Sequence, residues 1–197
     1  MQTSEVLVLL TDEWADWEVA YAIPRLHSAS PPALRQYAVK TIAMDRAPKM
    51  SMGGIRAEID YTVDDYHAFD NMAMLILPGG FGWQEGRHDR IAEFVQEMID
   101  RQIPVAAICG ATIFLGKHGF LDNVKHTGDD LQYFLEDAGY NGQDYYISAQ
   151  VAVDKGIITA NETAAIEFAR AIFVMLQLYD DETLESWYDY FKGGMVR

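Results

Sequence analysis

Apolar residues fall into short unbroken runs that alternate with longer stretches carrying them every three or four positions. "EVLVLL" (5–10), "MAMLILPGG" (72–80) and "IPVAAIC" (103–109) belong to the first kind, and "YAVKTIAM" (37–44) reads as a further strand. Unbroken aliphatic runs of this length predict strands covered on both faces, as in a parallel sheet. "RAEIDY" predicts a further, shorter strand, and "YYISAQVAVDKGIITA" (145–160) a strand pair turning at 154–156. Helical spacing marks "WEVAYAIPRLHS", with Asp12 or Asp16 as its cap, and "DRIAEFVQEMIDRQ" (89–102), which puts Ile91, Phe94, Val95, Met98 and Ile99 on one face. "GATIFLGKHG" is expected to end at Gly119. "NETAAIEFARAIFVMLQLY" is expected to start from an Asn161 cap, and "DDETLESWYDYFKGG" forms a last helix showing Leu184, Trp187 and Phe191. "SASPPALRQ" and "RAPKMSMGG" read as loops. Strands alternating with amphipathic helices imply one α/β unit over 1–197, a doubly wound, mostly parallel sheet with helices on both faces.

Charge narrows the partners. Fifteen basic residues against thirty acidic ones give a net charge of −15, which repels nucleic acid and anionic membranes. The first residues, "MQTSEVLVLLTDEW", carry no basic segment ahead of their apolar run, and no stretch approaches the roughly 20 apolar residues of a membrane helix. A single cysteine requires no oxidising compartment, so a cytoplasmic location is expected.

That cysteine, Cys109, stands at a predicted strand-to-helix junction. A helix N-terminus there directs N–H groups and partial positive charge at the sulfur, favouring the thiolate. Ala107, Gly110 and Ala111 are small enough for a sharp nucleophile elbow. The N–H of Gly110 can form one side of an oxyanion hole and the glycines of "LPGG", Gly80 above all, the other. A cysteine among Val, Ala and Ile is also a common core filler, and spacing alone does not separate the two. The five histidines and one cysteine show no metal-ligand spacing, and "GGFGWQEG" lacks the Lys and Ser/Thr of a P-loop, so no metal and no cofactor are expected. Trp83 and Phe81 in that loop either line a pocket or cover the sheet end.

Four blocks in order, "VLVLLTDEWADWEVAYAIPRL", "LILPGGFGW", "PVAAICGATIFLGKHGFLDNVKHT" and "IITANETAAIEFARAI", resemble the DJ-1/PfpI (ThiJ) superfamily, relatives of the class I glutamine amidotransferase domain. The resemblance implies a flavodoxin-like fold with Cys109 at the elbow, Glu18 beside the sulfur, and Gly80 at the oxyanion position. A carboxyl in apolar surroundings can share a proton with a nearby thiol, which suits Glu18 between Trp17 and Val19. The resemblance also implies a histidine near the nucleophile. Here Gly110 follows the cysteine directly, Asp129 falls near the family's downstream histidine position, and His126 lies three residues earlier as the candidate general base. His118 reads as a helix-end residue, and His27, His67 and His88 as surface residues.

The expected function is cofactor-free, cysteine-dependent chemistry on a small carbonyl or amide substrate, of hydrolase, amidase or glyoxalase type. The alternative is a stress-response protein whose cysteine senses oxidant without turnover. The family commonly forms homodimers, and an exposed Trp187 or Phe191 would suit such an interface.

Overall fold

The computed structural model describes residues 3–28, 37–85 and 89–194. The central sheet is built from β1 (Glu5–Leu9), followed in the chain by the short helices α1 (Asp16–Val19) and α2 (Ala22–His27) and by β2 (Ala38–Ala43). A small antiparallel pair of two-residue strands, β3 (Lys49–Met50) with β4 (Arg56–Ala57), precedes β5 (Tyr61–Thr62) and β6 (Met72–Leu77). Then come α3 (Asp89–Asp100), β7 (Val105–Ile108), α4 (Gly110–Lys117) and α5 (Leu131–Leu135). The chain continues through β8 (Val151–Asp154), β9 (Ile157–Ala160), α6 (Ala165–Leu176) and α7 (Asp181–Gly193). Seven strands lie in the order β5-β2-β1-β6-β7-β9-β8, all parallel except the β8–β9 pair.

The unbroken apolar runs are explained by their two coats. Val6, Val8, Met74, Ile76, Ala106 and Ile108 pack with Phe168, Ile172 and Phe173 of α6 on one face. Leu7, Leu9, Leu75, Leu77, Val105 and Ala107 pack with Ile91, Val95 and Met98 of α3 and Phe114 of α4 on the other. Alternate residues of one strand therefore serve opposite layers, which is why residues 6–9, Met72–Leu77 and Val105–Ile108 carry apolar side chains throughout. The β8–β9 turn falls where expected: Lys155 and Gly156 both have positive φ, 47° and 79°, the requirement of a type I′ hairpin.

Local differences have local causes. "RAPKMSMGG" contains β3, and "RAEIDY" splits between β4 and the start of β5. Residues 29–36 of the predicted "SASPPALRQ" loop lie outside the described residues. Asp16 does not cap its helix, whose N-cap position is Ala15; its carboxylate instead accepts from Ser51 Oγ and from the Gly53 N–H (2.9 Å). Asn161 likewise ties down Thr163 ahead of α6, which begins after Ala164 without a side-chain cap. The last helix is capped by Asp180, whose carboxylate accepts from the Thr183 N–H at 2.8 Å. Trp187 is buried against Phe173 (ring centroids 4.9 Å apart), so its aromatic surface is used within the chain. Among the described residues no helix is long and apolar enough to cross a membrane.

Candidate active site

Cys109 is the residue between the end of β7 and the start of α4. Its N–H continues the β7–β9 ladder by donating to Ala160 O (3.0 Å), while its carbonyl accepts from the Thr112 N–H (2.9 Å) and hydroxyl (2.7 Å). Held from both sides, the residue adopts φ 54°, ψ −129°. That conformation costs a non-glycine residue about 1–3 kcal/mol and survives only where surrounding structure enforces it. The side chain is half-buried and opens on a cavity of about 640 Å³ beyond the carboxyl ends of the strands.

Glu18 comes to the same place from α1. It is fully buried, and Oε2 accepts the Gly79 N–H at 2.6 Å. Gly79 lies against both side chains: a Cβ there would stand 2.6 Å from Cys109 Cβ and 2.9 Å from Glu18 Oε2. Only a residue without a side chain fits between acid and thiol. Gly80 has φ 129°, and a Cβ there would meet Glu13 O at 2.2 Å. It bridges Trp14 in a register where Ala15→Gly79 and Phe81→Glu13 make the hydrogen bonds, so the Gly80 N–H is not used by that bridge. Gly110 opens α4, where helix N–H groups lack intrahelical acceptors. An added Cβ at Gly110 would sit 3.2 Å from Gly80 O, so the two glycines expected to form an oxyanion hole are neighbours in space.

The electrostatics differ from the expectation for a helix N-terminus. Burial, then the charges of Glu18 and Asp129, push the Cys109 thiol up, and the Gly110 N–H only partly opposes them. Burial raises the Glu18 carboxyl to about 7, against the Gly79 N–H and the Cys109 thiol, which favour its charged form. Acid and thiol are thus both disposed to hold a proton near neutral pH.

His126 is placed elsewhere. It is fully buried, its Nδ1 2.7 Å from Val124 O and its Nε2 2.8 Å from the Tyr140 hydroxyl. A carbonyl only accepts, so Nδ1 carries the hydrogen and Nε2 accepts from the phenol. Phe134, Tyr140 and Tyr146 surround the ring, burial lowers its pKa, and it does not line the cavity. The residue that reaches the sulfur is Asp129. Cys109 Sγ and one carboxylate oxygen each of Asp129 and Glu162 lie within 4.8 Å of one another, and Asp129 Oδ1 accepts the Glu162 N–H at 2.6 Å. These three are the group among the described residues that could hold a cation. Gly79 and the Glu162–Asp129 pair are absent from the sequence-based site. The doubled glycine is a signal for Gly79, and an acid near the family's downstream histidine position is one for Asp129; Glu162 has no such local signal.

The aromatic loop divides its work. Trp83 is buried on Phe114 and donates Nε1–H to Pro78 O (2.7 Å), covering the sheet end, whereas the exposed Phe81 lines the cavity. His27 and His67 are exposed, His118 packs at a tilt against Phe114 at the C-terminal end of α4, and His88 lies outside the described residues.

A strained cysteine at a strand end, a buried glutamate and paired glycines form the arrangement that the sequence blocks resemble. Residues 4–175 match the family model for the DJ-1/PfpI family. The chain belongs to the DJ-1/PfpI family. Two Bacillus subtilis relatives, each described as an uncharacterized protease, YoaZ and YdeA, are 32% identical over 193 and 182 residues. The alignments cover 95% and 92% of this chain and 90% and 88% of theirs. A Bacillus anthracis thiJ/pfpI family protein superposes with a TM-score of 0.89 at 31% identity, covering 99% of this chain and 93% of its own. The DJ-1 superfamily protein Atu0886 of Agrobacterium tumefaciens gives 0.86 at 28%, covering 97% and 98%. The flavodoxin-like α/β fold of this family is the fold seen here.

Proposed function

We propose that the protein is a cysteine-dependent enzyme acting on a small amide or carbonyl compound, with Cys109 as nucleophile and Glu18 as proton carrier. The observation that carries this reading is the enforced backbone of Cys109, which turns a thiol into a cavity beside a buried carboxyl. A core-filling cysteine needs no such conformation. The description of two relatives as proteases supports amide chemistry.

On an amide, the Glu18 carboxylate accepts the thiol proton as Sγ bonds to the carbonyl carbon and the C=O electron pair moves onto oxygen. The N–H groups of Gly80 and Gly110 hold that oxyanion. Collapse expels the amine, which takes the proton from Glu18. Water then adds to the thioester, giving one proton to Glu18, which returns it to the departing sulfur. An aldehyde would stop at the hemithioacetal, its oxygen taking the proton. A base with a pKa of about 7 suits this work, since at neutral pH it is present in both forms. Glu18 replaces His126 as the base in this scheme, because both ring nitrogens of His126 are bonded elsewhere.

The oxidant-sensing alternative is favoured by one observation: no histidine lines the cavity among the described residues. Assay of an amide, ester and aldehyde panel decides between them, with mass spectrometry of Cys109 after peroxide treatment alongside. Turnover abolished by Cys109→Ser supports the enzyme. No turnover, with oxidation of Cys109 to sulfinic acid at low peroxide, supports the sensor.

A further inference from the structure

The cavity around Cys109 is one-sided in charge. Glu18, Asp129, Glu136 and Glu162 line it, and no Lys, Arg or His does among the described residues. Glu18 Oε1 is fully buried without a hydrogen-bond partner. The mouth is aromatic: Trp17, Phe81 and Tyr133 also line the cavity and are 45%, 53% and 51% exposed. Carboxylates behind aromatic faces attract an organic cation twice over, through opposite charge and through the ring quadrupoles. The same surroundings repel an anion.

We propose that the cavity selects small cationic acyl compounds, those whose ammonium group is separated from the electrophilic carbonyl by a single carbon. This rests on Cys109 being the nucleophile. The spacing follows from the sulfur: Asp129 and Glu162 each have a carboxylate oxygen within 4.8 Å of Sγ. A carbonyl carbon in position for attack stands roughly 3–3.5 Å from the nucleophile. A nitrogen on the adjacent carbon is only about 2.5 Å from that carbonyl carbon. An α-amino acyl group therefore fits its ammonium to these oxygens while its carbonyl faces the thiol. The aromatic mouth and the size of the cavity favour this occupant over a bare metal ion, which would need neither.

Charge selectivity is readable without turnover. In the test, Cys109 is modified with 2-(trimethylammonio)ethyl and 2-sulfonatoethyl methanethiosulfonate; its thiolate bonds to the sulfenyl sulfur and methanesulfinate leaves. Rates are normalised to 2-mercaptoethanol. The cationic reagent should be favoured by roughly tenfold or more at low salt, falling several-fold at 1 M salt. Glu136→Gln/Glu162→Gln, at two exposed positions, should bring the ratio most of the way to one. A ratio near one in the wild type overturns the proposal. So does a large ratio that survives both there and in Asp129→Asn/Glu162→Gln, since the carboxylates nearest the sulfur would then not be its source and the whole protein's charge of −15 would be. Protection of Cys109 by micromolar zinc chloride, lost in Glu162→Gln, would also overturn it by assigning these carboxylates to a metal. Alanine and isobutyric 4-nitrophenyl esters, equal in shape, form the second arm. A higher kcat/KM for alanine, corrected for spontaneous hydrolysis, extends the selectivity to catalysis, and equal values overturn it. If neither ester reacts while the reagent ratio holds, the proposed enzyme reading fails and the cation site stands.

Discussion

Glu18 and His126 are two fully buried titratable side chains in one fold, and their surroundings differ in kind. His126 sits among Phe134, Tyr140 and Tyr146 with both ring nitrogens bonded, and its backbone is pinned by hydrogen bonds with Tyr145 and Ile147. Glu18 has one oxygen bonded to Gly79, the other unpartnered, and a thiol and a cavity alongside. Burial shifts both toward the neutral form, up for the acid and down for the base. The difference lies in what is left unsatisfied. A buried polar group with its hydrogen bonds complete is a structural element, whereas one left short beside a nucleophile is available for chemistry.

The largest effects should come from the Glu18 side. Gly79→Ala places a methyl 2.6 Å from Cys109 Cβ, so acid and thiol must separate. We expect at least a hundredfold loss in the rate of Cys109 alkylation and in any turnover, a scale typical of misplaced catalytic groups. Retention of near-normal rates would show that the Glu18–Gly79–Cys109 contact is not functional.

Glu18→Gln should next separate stability from activity. The carboxyl rises from 4.5 to about 7 on folding, so between those values the folded chain binds more protons than the unfolded one. Stability falls as pH rises through that window. Gln keeps an oxygen for the Gly79 N–H and has no charge to bury. The variant should match wild type near pH 4.5 and gain on the order of 2–3 kcal/mol above pH 7, read by denaturant melts at both pH values. A variant less stable at pH 8 would contradict the account.

His126 gives the opposite sign. Its folded pKa is depressed below 6.5, so its contribution is present above that pH and lost as pH falls. Tyr140→Phe removes the donor to Nε2 and should cost about 1–3 kcal/mol at pH 8. The pH profile of Cys109 alkylation should not change. A changed profile would join the two regions that the structure keeps apart.

The smallest effect concerns Asp129, whose charge and hydrogen bond both raise the thiol. Asp129→Asn should increase the alkylation rate at pH 7 by a few-fold, since removing one nearby negative charge is worth about 1 kcal/mol in a partly solvated site. A decrease would make Asp129 an activating group.

Much of the scaffold can be read from the sequence because the central strands are buried on both faces, so that "VLVLL", "MAMLIL" and "PVAAI" hold no polar residue. The elbow at Cys109 is visible for a related reason: Ala107, Gly110 and Ala111 leave room for a tight turn. The caps are harder: tertiary structure turns Asp16 to Ser51 and Gly53, while Asn161 closes a local turn onto Thr163 ahead of the helix. The partners of the sulfur were hardest. Apart from its apolar flanks, Trp17 and Val19, Glu18 reads like an ordinary first-turn acid, and it is the family resemblance that places it beside the sulfur. His126 and Asp129 differ by three positions in an irregular segment, where no periodicity tells which side chain turns toward β7.

The pH dependence of Cys109 alkylation by iodoacetamide, in wild type and Glu18→Gln, tests the shared proton most directly. Coupled ionisation of acid and thiol predicts a wild-type rate profile with an inflection near pH 7 that disappears in Glu18→Gln. Identical profiles, both rising only through about pH 8.5 as for an isolated thiol, would show that Glu18 and Cys109 do not share a proton.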